Sequence, residues 1–327
     1  SWSDSRHVAA FLATGDAAHL DRAATFGDGR HIRADRDDAP SGVLAASYAA
    51  YPTAPFKAEQ ARFYRALRTL PGLAGEDRFF GFDVDAVGAG YDDLAAARDE
   101  LAIPADFWAQ LERVEGESIG EEADRLEEAA RLLPARAGPV RAHLEAMIGT
   151  LRYAALALPA PDYEALRPAM ARREEIMKRQ VDRRLAERRP GDLLVLMGHA
   201  FHLVKDDAAI GGVAGVGPGG GLVASLGHHL VASGLRVGAV WMLYGGGEDS
   251  QPFPDLPRQA AYPSGTLNAR LARRGTPAVL PVGPASEAPN RVEIGHMYNA
   301  VTPVDLAVAV DAVHFAPTVT PLQDDSD

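Results

Sequence analysis

Cysteine is absent from all 327 residues, which excludes disulfides, thiolate metal sites and cysteine nucleophiles together. That absence does not fix the compartment, and a cytoplasmic location is the default expectation. No apolar run approaches the roughly 18–20 residues that cross a bilayer, and no basic-then-apolar leader opens the chain. A soluble protein with no membrane partner is therefore expected. Positive charge is in short supply, with 33 Lys and Arg against 45 Asp and Glu and a formal charge of −12. A field of that sign repels phosphate backbones, so nucleic acid is not the expected partner, and a small or neutral molecule fits better. Gly116-Glu117-Ser118-Ile119-Gly120 spells Gly-x-Ser-x-Gly but lies in the helical region rather than at a strand-to-helix elbow, and no His-Glu-x-x-His helix occurs, which disfavours a serine-nucleophile α/β-hydrolase and a zincin-type protease. No repeat of fixed period is present.

What the chain does have is apolar content, 47% of its residues, enough for a sizeable core in one large domain or two ordinary ones. It opens at Ser1-Trp2 directly on an amphipathic pattern, Asp4 to Thr14, with Val8, Ala9, Phe11 and Leu12 apolar, and so is expected to start within a domain. Helical spacing returns over Ala58 to Leu70, and a strand is expected over Arg78 to Val84. Four helical stretches follow, Tyr91 to Leu101, Glu121 to Leu133, Val140 to Leu158 and Tyr163 to Glu187, separated by Pro and Gly.

Beyond Pro190 the pattern changes to short apolar runs between glycines: Leu193 to Met197, Val237 to Leu243, Ala278 to Val282 and Val308 to Phe315, with a helix over Leu222 to Ala232. The expected fold is one α/β domain over residues 1–327, with a central, largely parallel sheet. A large helical insertion over about residues 88–189 would form one wall of a cleft. In such sheets reactive groups collect past the carboxyl ends of buried strands. The run Leu193-Leu194-Val195-Leu196-Met197, read as a strand buried on both faces, ends in Gly198-His199-Ala200-Phe201-His202. His199 and His202 are the leading catalytic candidates, because imidazole can both accept and donate a proton near neutrality.

Other readings remain open from the residues. His199 and His202 with Asp206 or Asp207 could ligate a metal, although three ligands in good geometry are needed. Gly215-Val216-Gly217-Pro218-Gly219-Gly220 formally matches a phosphate-cradling loop, yet Pro218 removes an amide and the loop stands far from its strand, so a gating loop is expected. His228 and His229 are adjacent on a helix and point about 100° apart, so they cannot easily share one ligand. Asp83, at a strand end, could orient a histidine or cap a turn. His296, with Tyr298 and Asn299, could line a cleft, and His314 in the last strand could touch a substrate.

The order Gly81-Phe82-Asp83, then Arg173-Glu174-Glu175-Ile176-Met177 with Gln180, then His199-Ala200-Phe201-His202 resembles the erythromycin esterase family. Leu222-Val223-Ala224-Ser225-Leu226-Gly227, Asp311-Ala312-Val313-His314-Phe315 and Thr320-Pro321-Leu322 match its later landmarks. The resemblance covers most of the chain and implies a hydrolase, linked to antibiotic resistance or secondary metabolism. It would open a macrolide-like lactone or related ester by activated water, with no cofactor and no obligatory metal. It implies His199 and His202 as catalytic or polarising groups, and Asp83, Arg173, Met177 and His314 as substrate-binding candidates. The family's first strand carries Gly-Glu-x-x-His-Gly, a string not found here. Ala200 stands where the family has asparagine, Gln180 where it often has asparagine, and Glu174 where it has aspartate. A second reading follows, a silent or repurposed relative that binds a natural product or transforms it without hydrolysis.

Overall fold

The computed structural model describes residues 2–23, 53–73, 78–83, 105–112, 114, 116–134, 137–162, 164–211, 223–248, 259–283, 291–295 and 301–320. The chain divides into two compact units, one running to Val181 and the other starting at Asp182.

The first unit is helical: α1 (Trp2–Thr14), α2 (Ala18–Ala23), α3 (Thr53–Arg68), α4 (Ala105–Leu111), α5 (Ile119–Leu132), α6 (Gly138–Ala157) and α7 (Arg167–Glu187), the last carrying the boundary. Val8, Phe11 and Leu12 recur at helical spacing and bury one stripe of α1 against Leu20, Ala23, Tyr64, Leu67 and Phe79. Phe107, Leu126 and Leu144 are fully enclosed in a second core built from α4, α5 and α6. The start of α5 is fixed by reciprocal capping. Ser118 Oγ accepts the Glu121 N–H at 3.3 Å, and the Glu121 carboxylate accepts the Ser118 N–H at 2.9 Å. Residues 79–83, expected as a strand, are irregular instead. Phe79 joins the α1 core and Phe82 is buried, so their apolar surface is satisfied by packing rather than by a ladder. Val84 and the expected helix Tyr91 to Leu101 lie outside the described residues.

In the second unit, α8 (Leu226–Ala232) precedes β1 (Val240–Tyr244), β2 (Gly246–Glu248) and β3 (Gln259–Ala261). Then come α9 (Leu267–Ala272), β4 (Ala278–Pro281), β5 (Arg291–Gly295), β6 (Val301–Asp305), α10 (Leu306–Ala309) and β7 (Ala312–Ala316). The main sheet has the order β1-β7-β4, with β1 parallel and β4 antiparallel to β7. Two antiparallel ribbons, β2-β3 and β5-β6, accompany it. The content is mixed helix and strand with a small mixed sheet among the described residues, rather than the large parallel sheet expected.

Strand alternation sends Trp241, Leu243, Val313 and Phe315 into the core with Val204, Ile294 and Val304. On the opposite face Val240, Met242 and Val279 are exposed, with Met242, His314 and Val279 in register across the three strands. The ends of β1 and β5 are joined by one buried side chain. Asn268 Nδ2 donates to the Tyr244 and Gly295 carbonyls at 2.9 and 3.1 Å, and its Oδ1 accepts the Gly295 N–H at 2.7 Å.

Two sequence expectations are overturned here. Leu193 to Met197 form no strand, and Leu193, Val195 and Met197 are 86%, 70% and 61% exposed. The run keeps strand-like alternation, but no neighbouring strand pairs with it among the described residues, so every second side chain faces water. Val308 belongs to α10, because Asp305 caps that turn by accepting the Ala307 N–H at 3.2 Å, and the last strand begins only at Ala312. No helix among the described residues is long and apolar enough to cross a membrane.

Candidate functional site

The two leading imidazoles share one turn. His199 caps a 3-10 turn, Ala200–His202, with its own ring: Nδ1 accepts the Phe201 N–H at 3.3 Å. The His199 and His202 ring centroids stand 6.0 Å apart at 71°, and Phe201 lies edge-on to His199 at 5.1 Å. His199 is exposed while His202 is buried. A ring nitrogen that accepts an amide N–H carries no proton, so neutral His199 bears its hydrogen on Nε2. His199 is thereby set to donate through Nε2.

The chain just after this turn is pinned on several sides. Val204 is fully buried in the second unit's core. The Lys205 N–H bonds the Ala309 carbonyl at 3.1 Å, and Lys205 Nζ meets Asp311 Oδ1 at 2.8 Å. The other Asp311 oxygen accepts the Ala239 N–H at 2.7 Å. Burial alone would raise the Asp311 carboxyl, but the hydrogen bonds from Lys205 and Ala239 outweigh it and hold the group below its ordinary value. Asp206 caps a second 3-10 turn, Asp207–Ala209, by accepting the Ala208 N–H at 2.9 Å. Both Asp207 oxygens accept the Ser225 N–H, at 3.2 and 3.0 Å. Ser225 then caps α8, accepting the His228 N–H and donating to the Val204 carbonyl, each at 3.2 Å.

Asp206 and Asp207 thus serve as turn and helix anchors, a role not expected from the sequence. Their signal was present as capping spacing, Asp206 two residues before Ala208 and Ser225 three before His228. The adjacent histidines of α8 do serve different partners. His229 Nε2 meets both Asp182 oxygens at 3.0 and 3.1 Å, whereas His228 Nδ1 faces Asp206 and Asp207 at 3.8 and 3.9 Å.

In the first unit, Asp83 and Arg173 come together across 90 residues of sequence in a two-pronged pair. Arg173 Nε donates to Oδ1 at 2.7 Å and Nη2 to Oδ2 at 2.5 Å. The guanidinium carbon also stands 5.8 Å from the Tyr153 ring centre. Asp83 therefore holds an arginine. Met177 is fully buried, as is nearly all of Glu174. His314 lies mid-strand in β7, its Nδ1 shielded and without a hydrogen-bond partner. The loop Gly215 to Gly220 and His296, Tyr298 and Asn299 lie outside the described residues.

The architecture is one already known from solved structures. A succinoglycan biosynthesis protein superimposes with a TM-score of 0.57 at 12% identity, covering 98% of this chain and 78% of that one. A mutant erythromycin esterase in its open conformation gives 0.52 at 15% identity, covering 97% and 81%. A Bacillus cereus protein gives 0.52 at 13%, covering 100% and 81%. No protein-family model matches the chain, and no curated protein is similar to it in sequence. The chain accordingly has the fold of erythromycin esterase and of the succinoglycan biosynthesis-like proteins.

Proposed function

We propose that this protein is a hydrolase of the erythromycin esterase type, adding water across a macrolide-like lactone or a related ester. The observation that carries the reading is the imidazole pair on the turn Ala200–His202, with the His199 tautomer set by the Phe201 amide. Ester hydrolysis needs a donor for the developing oxyanion and an acceptor for the proton of water. His199 supplies the donor through Nε2, and His202 flanks it as the second polarising group. His314, in the same unit as the imidazole pair, is the proposed substrate contact. The partner is a small molecule, and the reaction as proposed asks for no cofactor and no obligatory metal.

A second reading is a repurposed relative that binds a natural product without hydrolysing it. It is favoured by Ala200 in place of asparagine and by a fold neighbour named for succinoglycan biosynthesis. Incubation with a panel of macrolide lactones, with and without chelator, separates the two by mass spectrometry. A product heavier by one water that persists in chelator and disappears in His199→Ala and His202→Ala supports hydrolysis. Ligand binding without any such product supports the second reading.

A further inference from the structure

Trp241 carries a polar atom that its place in the fold does not use. The side chain is 3% exposed in the core of the second unit, and its Nε1–H is enclosed with no hydrogen-bond acceptor among the described residues. A buried donor in that position has given up its bond to water for none in return. Leu243, the next inward residue of β1, fills the same core with no polar atom at all. Apolar burial alone therefore does not call for an indole at 241, and the reason for one lies in what the ring touches.

The indole packs beneath the candidate turn. The Phe201 ring centroid stands 6.5 Å from that of Trp241 at 59°, and the His199 ring follows, 5.1 Å from Phe201 and nearly perpendicular at 81°. Three rings thus run from the sheet to the site: Trp241 in β1, Phe201 half-buried against the same core, and His199 exposed. Tilted and edge-on contacts of this kind restrict how each ring can turn against the next. Phe201 acts on His199 in two ways, since its ring lies against the imidazole and its N–H is the donor that Nδ1 accepts at 3.3 Å. That bond is at the long end of the range and depends on Phe201 keeping its place. A three-residue 3-10 turn is a weak element by itself, so its geometry follows the packing beneath it.

We infer that Trp241 is a positioning residue of the candidate site: its indole seats Phe201, and through Phe201 it keeps neutral His199 with its proton on Nε2. The inference rests on the hydrolytic reading for the use of that proton, the hydrogen bond that Nε2 donates to the oxyanion formed from a lactone or other carboxylic ester. The breadth of the ring is what the site uses. Phenylalanine at 241 relieves the core of the orphaned donor, yet it falls short of Phe201 and leaves the turn free to rock.

The test uses the full chain in two arms. In the first, nitrogen NMR of the substrate-free protein finds neutral His199 protonated on Nε2, and Trp241→Phe moves part of the population to Nδ1. Phe201→Leu, which keeps the amide and removes the ring, gives the same shift. Ile294→Val, which takes one methylene from the same core, leaves the tautomer as in the wild type. An equal shift in Ile294→Val, or none in Trp241→Phe, overturns the inference. In the second arm, with a lactone that the wild type turns over, Trp241→Phe lowers kcat by about 10-fold or more at unchanged KM and unchanged melting temperature. Turnover within about two-fold of wild type overturns the role. Trp241→Met, whose flexible chain fills the core without a ring, gives the same readouts if the phenylalanine variant does not fold. If the wild type turns over no ester, the hydrolytic reading falls by itself, and the NMR arm alone decides whether Trp241 positions His199.

Discussion

Gly227 stands so close to Val204 that a Cβ built on it would lie 2.3 Å from the Val204 carbonyl oxygen and 2.5 Å from the Leu203 carbonyl carbon. Both contacts are with backbone, which cannot swing aside as a flexible side chain can. The first turn of α8 and the chain following His202 therefore have their separation set by a missing methyl group. Gly227→Ala is expected to push the two apart and cost about 1–3 kcal/mol through overpacking. A urea titration measures the loss. In the hydrolytic reading, turnover falls further than stability alone explains, because the chain directly following His202 moves. A variant as stable and as active as wild type would contradict this.

Arg173 and Asp83 give a second expectation. The pair is two-pronged, the arginine side chain is 13% exposed, and its flat guanidinium faces Tyr153. Lysine cannot reproduce that fork, so Arg173→Lys should lose about 1–2 kcal/mol despite keeping its charge. Combining it with Asp83→Asn should show coupling of about 1 kcal/mol or more in a double-mutant cycle followed by denaturant unfolding. Simple additivity would mean that the pair contributes nothing as a pair.

The Asp311 carboxyl predicts a limb of acid lability. Its folded value lies below the ordinary one because Lys205 and the Ala239 amide bond the charged form, against the opposing effect of burial. A group depressed in this way contributes stability that is fully present above the unfolded carboxyl range, near ~3.9, and lost as pH falls through the lower folded value. Stability should therefore drop more steeply below about pH 4 in the wild type than in Asp311→Asn. At neutral pH that variant should be weaker by about 1 kcal/mol, the side chain being half exposed and its bonds partly screened. Parallel stability profiles for the two proteins would exclude the effect.

Ser118→Ala removes one half of the capping box on α5 and should cost about 1 kcal/mol, visible as faster amide exchange over the first turn of that helix. Exchange protection unchanged at Glu121 and Glu122 would show that other contacts hold the turn.

The helices were readable in the sequence where one apolar stripe repeats, as in α1, and where prolines mark the ends, as at Pro159, whereas the Ser118 cap that starts α5 two residues ahead of the expected Glu121 was not read. The strands were legible only in part. β1, β4 and β7 carry dense apolar residues, and their runs announced them. β5 and β6 carry Arg291, Glu293, Thr302 and Pro303 between their apolar residues, so they gave no comparable run. Leu193 to Met197 shows the converse: composition reports the wish to be buried, while burial needs a neighbour that the run itself does not encode. At the candidate site the paired histidines were legible as a motif. Their orientation was not, because it depends on one backbone amide at Phe201, and neither was the facing of His228 toward Asp206 and Asp207.

Asn268 has a consequence for how the second unit comes apart. Its amide exchanges a pair of hydrogen bonds with Gly295 as one peptide group does with another, and it donates also to the carbonyl that ends β1. One side chain thereby splices the β5-β6 ribbon to the three-stranded sheet where no ladder joins them in the described residues. Opening either piece alone would strand buried donors and acceptors in the other, so the two should exchange their amide hydrogens as one cooperative block. With alanine at this position the splice is cut, and the ribbon becomes free to breathe on its own clock.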